Sequence, residues 1–123
     1  MTEIYADFGI EIYDSTIKNE TIELMKKLGE IQIKETKLKT TIISFTSFSK
    51  NTPYIEDVSK ELCAIIFPYR EEFREFFIKF RGRIYSDICF VVNVDDDGIS
   101  IRIDKELISI CSYLGLEIQI DGL

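Results

Sequence analysis

The chain has 123 residues, 46% of them apolar and 30% charged, with a net charge of −7 and no histidine. That length reads as one domain, residues 1–123, with enough core to fold alone, and the composition is globular, not disordered. The acidity excludes free nucleic acid as a favoured partner, because a phosphate backbone rewards clustered Lys and Arg. The missing histidine excludes Ser–His and Cys–His nucleophiles and nearly all catalytic zinc.

In Ile4–Tyr13, Ile4, Ala6, Phe8, Ile10 and Ile12 alternate with Tyr5, Asp7, Gly9, Glu11 and Tyr13. That period of two predicts a strand with one buried and one wet face. Asn19–Gly29 predicts a helix with Asn19 as its cap, Lys26 and Lys27 near its negative end and Gly29 closing it in the left-handed conformation. Its start is open as far back as Ser15, and Ile22, Met25 and Leu28 form its buried stripe. Glu30–Phe48 is rich in β-branched residues and reads as two strands with a turn near Thr36–Lys39.

From Tyr54 to Arg81 the period becomes helical, with Tyr54, Val58, Leu62 and Ile65 on one face. Pro68 forces a break or a kink, leaving one kinked helix or two. Phe73, Phe76, Phe77 and Phe80 then fall on a single helical face. Arg83–Val94 alternates again, and Ile99, Ile101 and Ile103 continue that period after a turn at Asp97-Gly98. Asp104 caps a helix running through Leu107, Ile108, Cys111 and Leu114 to Gly115. Leu116–Asp121 is a last strand with Leu116, Ile118 and Ile120 inward. The order is β-α-β-β-α(α)-β-β-α-β. Clean alternation predicts a mainly antiparallel sheet with helices on one face, an α+β fold whose first half is ferredoxin-like.

The longest apolar runs, Ala64–Phe67 and Ile88–Val92, fall far short of the about 20 residues a membrane span needs. The opening MTEIYADFG lacks the basic and apolar regions of a signal peptide. The expectation is a cytoplasmic protein with no membrane partner. Cys63, Cys89 and Cys111 form no Cys-x-x-Cys pair, so they read as buried free thiols. No cofactor is expected.

Asn93–Asp104, NVDDDGISIRID, fits the calcium-loop template, with Asn93, Asp95 and Asp97 at positions one, three and five and Gly98 at the invariant glycine. The template requires helices on both sides, whereas a strand precedes Asn93. The segment therefore reads as a solvated turn without metal, in which Asp95, Asp96 and Asp97 are candidates for partner contact. FRGR, Phe80–Arg83, offers two arginines but ends a helix where phosphate binding needs a beginning.

Tyr5, Asp7, Glu11, Tyr13, Tyr85 and Asp87 come from the wet faces of two strands. If those strands are neighbours, they make one acidic, tyrosine-bearing surface. Tyrosine is enriched at interface hot spots, and carboxylates attract a basic partner.

YADFGIEIYD at the start, Leu28-Gly29 after the first helix, and the end SYLGLEIQIDGL resemble the bacterial family known as domain of unknown function 4279. The resemblance implies a small α+β domain and brings no activity or catalytic residues. The favoured expectation is a non-catalytic protein-interaction domain of the immunity type that blocks a basic toxin domain. The alternative is a small-ligand or regulatory domain with a pocket between the phenylalanine helix and the sheet. A homodimer through the wet face and a carboxylate enzyme are the remaining readings.

Overall fold

The alternation in the first strand places it at the centre of the molecule. In the computed structural model, which describes residues 1–122, β1 spans Glu3–Ile12. Ile4, Ala6, Phe8 and Ile10 are fully buried. β2 is Ile31–Glu35, β3 Thr41–Thr46, β4 the short Lys50–Asn51, β5 Ile84–Asn93 and β6 Glu117–Asp121. The sheet order is β2-β3-β1-β5-β6, with β4 also paired to β1. Every pairing is antiparallel except β5–β6. The four strands β2-β3-β1-β5 reproduce the ferredoxin-like order, and a βαβ unit appends β6 at one edge.

Helices α1 (Lys18–Met25), α2 (Ile55–Ile66), α3 (Arg70–Lys79) and α4 (Lys105–Leu114) cover one face. Pro68 sits in a 3-10 turn, Phe67–Tyr69, so the segment is two helices. The buried stripe of α2 is Ile55, Val58, Ser59, Leu62, Cys63 and Ile66. Tyr54 is left outside it and Ile65 at its margin. All four phenylalanines of the α3 segment are buried, and Phe73 packs its ring 5.3 Å from that of Phe8.

Several local expectations are corrected. Asn19 lies inside α1 and caps nothing. Asp14 caps a preceding 3-10 turn, Ser15–Ile17, by accepting from the Thr16 N–H. The Thr16 hydroxyl, which also donates to Asp14, that N–H bond and Arg83 together hold the Asp14 carboxyl down at about 2. Gly29 is not left-handed: its φ of 143° and ψ of −151° fall in the region only glycine adopts readily. Gly115, with φ 72° and ψ 35°, does close α4 in the left-handed conformation, and Asp104 caps it by accepting from the Leu107 N–H.

The expected strand through Ile99, Ile101 and Ile103 does not form. β5 is already paired on both sides, by β1 and by β6, so no edge is free for a returning hairpin strand. The segment instead passes over to α2, where the Ser100 carbonyl accepts from the Ile55 N–H and the Ser100 N–H donates to Pro53. Cys89 also departs from expectation. It is half-buried on the wet face opposite Asp7. Cys63 and Cys111 are buried, which pushes their thiols up to about 12 and about 11.

Between β3 and β4 the chain bends, and Ser47 bridges the gap. Its N–H donates to the Ala6 carbonyl at 2.8 Å, and its hydroxyl accepts from the Ala6 N–H at 2.9 Å. Ser47→Ala strands that buried N–H. The expected cost is about 1–3 kcal/mol, seen as a lower urea midpoint. An unchanged midpoint would show that the hydroxyl is dispensable.

The open face of the sheet as a candidate partner interface

Opposite the helices, the sheet carries no second layer among the described residues. The antiparallel register of β1 with β5 sets Glu11 beside Tyr85, Gly9 beside Asp87 and Asp7 beside Cys89. Five of the expected face residues, Tyr5, Asp7, Glu11, Tyr85 and Asp87, therefore share one surface. Tyr13 follows the end of β1, exposed, with its N–H donating to the Arg83 carbonyl. The partial desolvation of its hydroxyl and the Glu11 charge raise it above the ordinary value.

The parallel pairing of β6 adds carboxylates that the two-strand argument misses. Glu117 lies beside Asp87 and Asp121 beside Val91, and Glu3 extends the row on β1. The alternation of Leu116–Asp121 already puts Glu117 and Asp121 on the wet side. The missing information is which strand β6 joins.

Most of these groups are held in place. The Thr46 hydroxyl donates to Asp7, and the Thr40 hydroxyl donates to Glu11 at 2.6 Å. The Tyr85 hydroxyl donates to Glu117 at 2.8 Å and accepts from the Gln119 amide at the same distance. The bond to Glu117 raises the Tyr85 hydroxyl.

Asp87 differs. Among the described residues its carboxylate has neither a hydrogen-bond nor an ion-pair partner. It leans over Gly9, where an added Cβ would sit 3.5 Å from its Oδ1. Burial raises its pKa above the ordinary 3.8, and the charges of Glu117, Asp7 and Glu11 add to that.

A carboxyl raised in the folded state stabilises the fold when protonated. That contribution is complete below 3.8 and is lost as pH rises through the raised value. Asp87→Asn is therefore expected to raise the melting temperature at pH 7. The gain should narrow as pH falls toward 3.8. Calorimetry across that range checks it, and a lower melting temperature at pH 7 would contradict it.

The acidic turn is engaged internally. Asp97 accepts from both the N–H and the hydroxyl of Thr2, at 2.9 and 2.7 Å, and its carboxyl is lowered as a result. Asp95 pairs with the Met1 ammonium, which lowers its carboxyl too. Asp96 alone of the three presents a carboxylate without a partner among the described residues. No group of three or more His, Cys, Asp or Glu among the described residues is placed to hold a metal ion.

The rings of the phenylalanine helix pack over the sheet, with Phe73 and Phe77 centred 6.0 Å apart and Phe76 and Phe80 4.9 Å apart. Beside them a pocket of about 400 Å³ opens between α3, β5 and α4, lined among others by Arg74, Phe77, Arg81, Ile84, Ser86 and Tyr113. No helix among the described residues is long and apolar enough to cross a membrane.

No family model, no curated protein and no solved structure matches the chain. The likeness to domain of unknown function 4279 thus stands on its quoted residues alone, of which Leu123 lies outside the described residues.

Proposed function

We propose that the chain is a non-catalytic protein-interaction domain whose open sheet face receives a basic partner, in the manner of an immunity protein covering a toxin domain. The observation that carries this is Asp87, half-buried and unpaired amid Asp7, Glu11 and Glu117. A lysine or arginine brought to that point relieves the repulsion among four carboxylates, and the surrounding threonine and tyrosine bonds hold the face ready for it. Exposed tyrosine and rigid strands add the low-entropy contact surface that interfaces favour.

The small-ligand reading is the second one, with the pocket between α3 and β5 beside Phe77, Ile84 and Ser86 as its candidate site. The wet face is also a poor homodimer seam, since a two-fold axis would set its carboxylates against their own copies.

The test is calorimetric titration against basic products of the genes adjacent to its own. A micromolar or tighter complex is expected, and the double variant Asp7→Lys/Asp87→Lys is expected to weaken it by about a hundredfold or more. A complex indifferent to that reversal would overturn the reading.

A further inference from the structure

On the far side of the helix layer, α2 and α4 frame a groove of about 1090 Å³. Its floor includes the small exposed side chains Ala64, Ser109 and Ser112, and its walls include Phe67 and Ile108, exposed at 55% and 52%. Large apolar side chains half in water around a small-residue floor leave room for a third helix to approach closely.

The charge around this groove runs against that of the whole chain. Lys60, Arg70 and Lys105 line it, against a single carboxylate, Glu106. Neither Lys60 nor Lys105 has an ion-pair partner among the described residues. Arg70 is pinned over the Phe67 ring, 3.8 Å from its centroid, and donates to the Phe67 carbonyl.

These cations are spread along the groove. Lys105 opens α4, whereas Arg70 adjoins Glu71, which accepts from Tyr113 in the last turn of α4. At 1.5 Å per residue, the eight steps from Lys105 to Tyr113 cover about 12 Å. A single fatty-acid carboxylate meets one end of such an array only. An isologous second copy would oppose the cations to themselves, and the flat acidic sheet face of another copy would not enter a groove.

We propose that this groove is a second docking site, and that its occupant is an acidic amphipathic helix of a protein partner, lying along α4 with its apolar stripe on Ala64, Phe67 and Ile108. The site is independent of the sheet face, which lies on the opposite side of the molecule.

The experiment uses a fluorescently labelled synthetic helical peptide of about 18 residues, five turns, with leucines on one stripe and glutamates flanking it. Anisotropy should report a dissociation constant on the order of 10 μM. Lys60→Glu/Lys105→Glu, and separately Ala64→Trp, should each weaken it about tenfold or more. Both substitutions are at exposed positions, and circular dichroism confirms that each variant folds. Asp87→Lys should leave peptide affinity unchanged, which separates this site from the sheet face.

Several outcomes would overturn the proposal: no binding below about 1 mM, equal affinity for the peptide with lysine in place of glutamate, or indifference to the Lys60/Lys105 reversal. Sodium oleate binding that Ala64→Trp abolishes, in the absence of peptide binding, would assign the groove to a lipid instead. Sedimentation showing self-association that the Lys60/Lys105 reversal abolishes would assign it to a second copy.

Discussion

Phe73→Ala is expected to destabilise the protein by about 3–5 kcal/mol. Phe73 is 0% exposed and lies where the helix layer meets the central strand, its ring tilted 50° against Phe8 and 45° against Phe77. Its removal loses the transfer energy of a whole aromatic side chain and leaves a cavity that the neighbouring rings of Phe8 and Phe77 cannot collapse into. A domain of this size holds about 5–15 kcal/mol in total, so the variant should be partly unfolded at physiological temperature. Urea denaturation reads the effect as a large fall in midpoint at a nearly constant slope. Phe67→Ala is the matched control. That ring is 55% exposed, and its loss should cost under about 0.5 kcal/mol. A Phe73→Ala cost as small as the control would mean that the ring is not part of the core.

Gly29→Ala carries the second large penalty, from two separable sources. Its φ of 143° and ψ of −151° cost any other residue about 1–3 kcal/mol. An added Cβ would also stand 2.9 Å from Cε2 of Phe45, a ring that is 8% exposed and cannot swing away freely. The expected loss is about 2–4 kcal/mol, the sum of the backbone strain and a modest overpacking cost. A double-mutant cycle with Phe45→Leu separates the parts, since the smaller side chain relieves the clash and leaves the backbone strain. A full rescue by Phe45→Leu would show that the dihedral costs nothing.

Much of the fold was legible because it rests on local periodicity. The alternation of Ile4–Ile12, the Phe73–Phe80 stripe, the break at Pro68 and the caps at Asp104 and Gly115 each follow from residues within a turn or two of one another. Pairing choices were not legible. Ile99–Ile103 has the alternation of a strand, and only the occupancy of both sides of β5 denies it a place.

The site divides the same way. Which residues of β1 and β5 face water was readable, but the arrival of Glu117 and Asp121 depended on β6 joining β5 in parallel. The internal use of Asp95 and Asp97 depended on Met1 and Thr2, more than ninety residues away in sequence. Gly29 misled because a glycine after a helix ordinarily marks a left-handed cap. Here the chain leaves a 3-10 turn and must pass under Phe45.

The central position of β1 has a kinetic consequence. Its longest ladder, Glu3 against Asn93 through Ile12 against Ile84, closes only when β5 exists, and β5 begins about seventy residues after β1 ends. At a synthesis rate of about 5–20 residues per second, β1 waits on the order of 4–14 s before that partner is made. Throughout that interval a strand of alternating isoleucine, alanine and phenylalanine has an unclaimed edge. Its outward Asp7 and Glu11 put like charges on that strand, which disfavours pairing between nascent copies before each chain can complete itself.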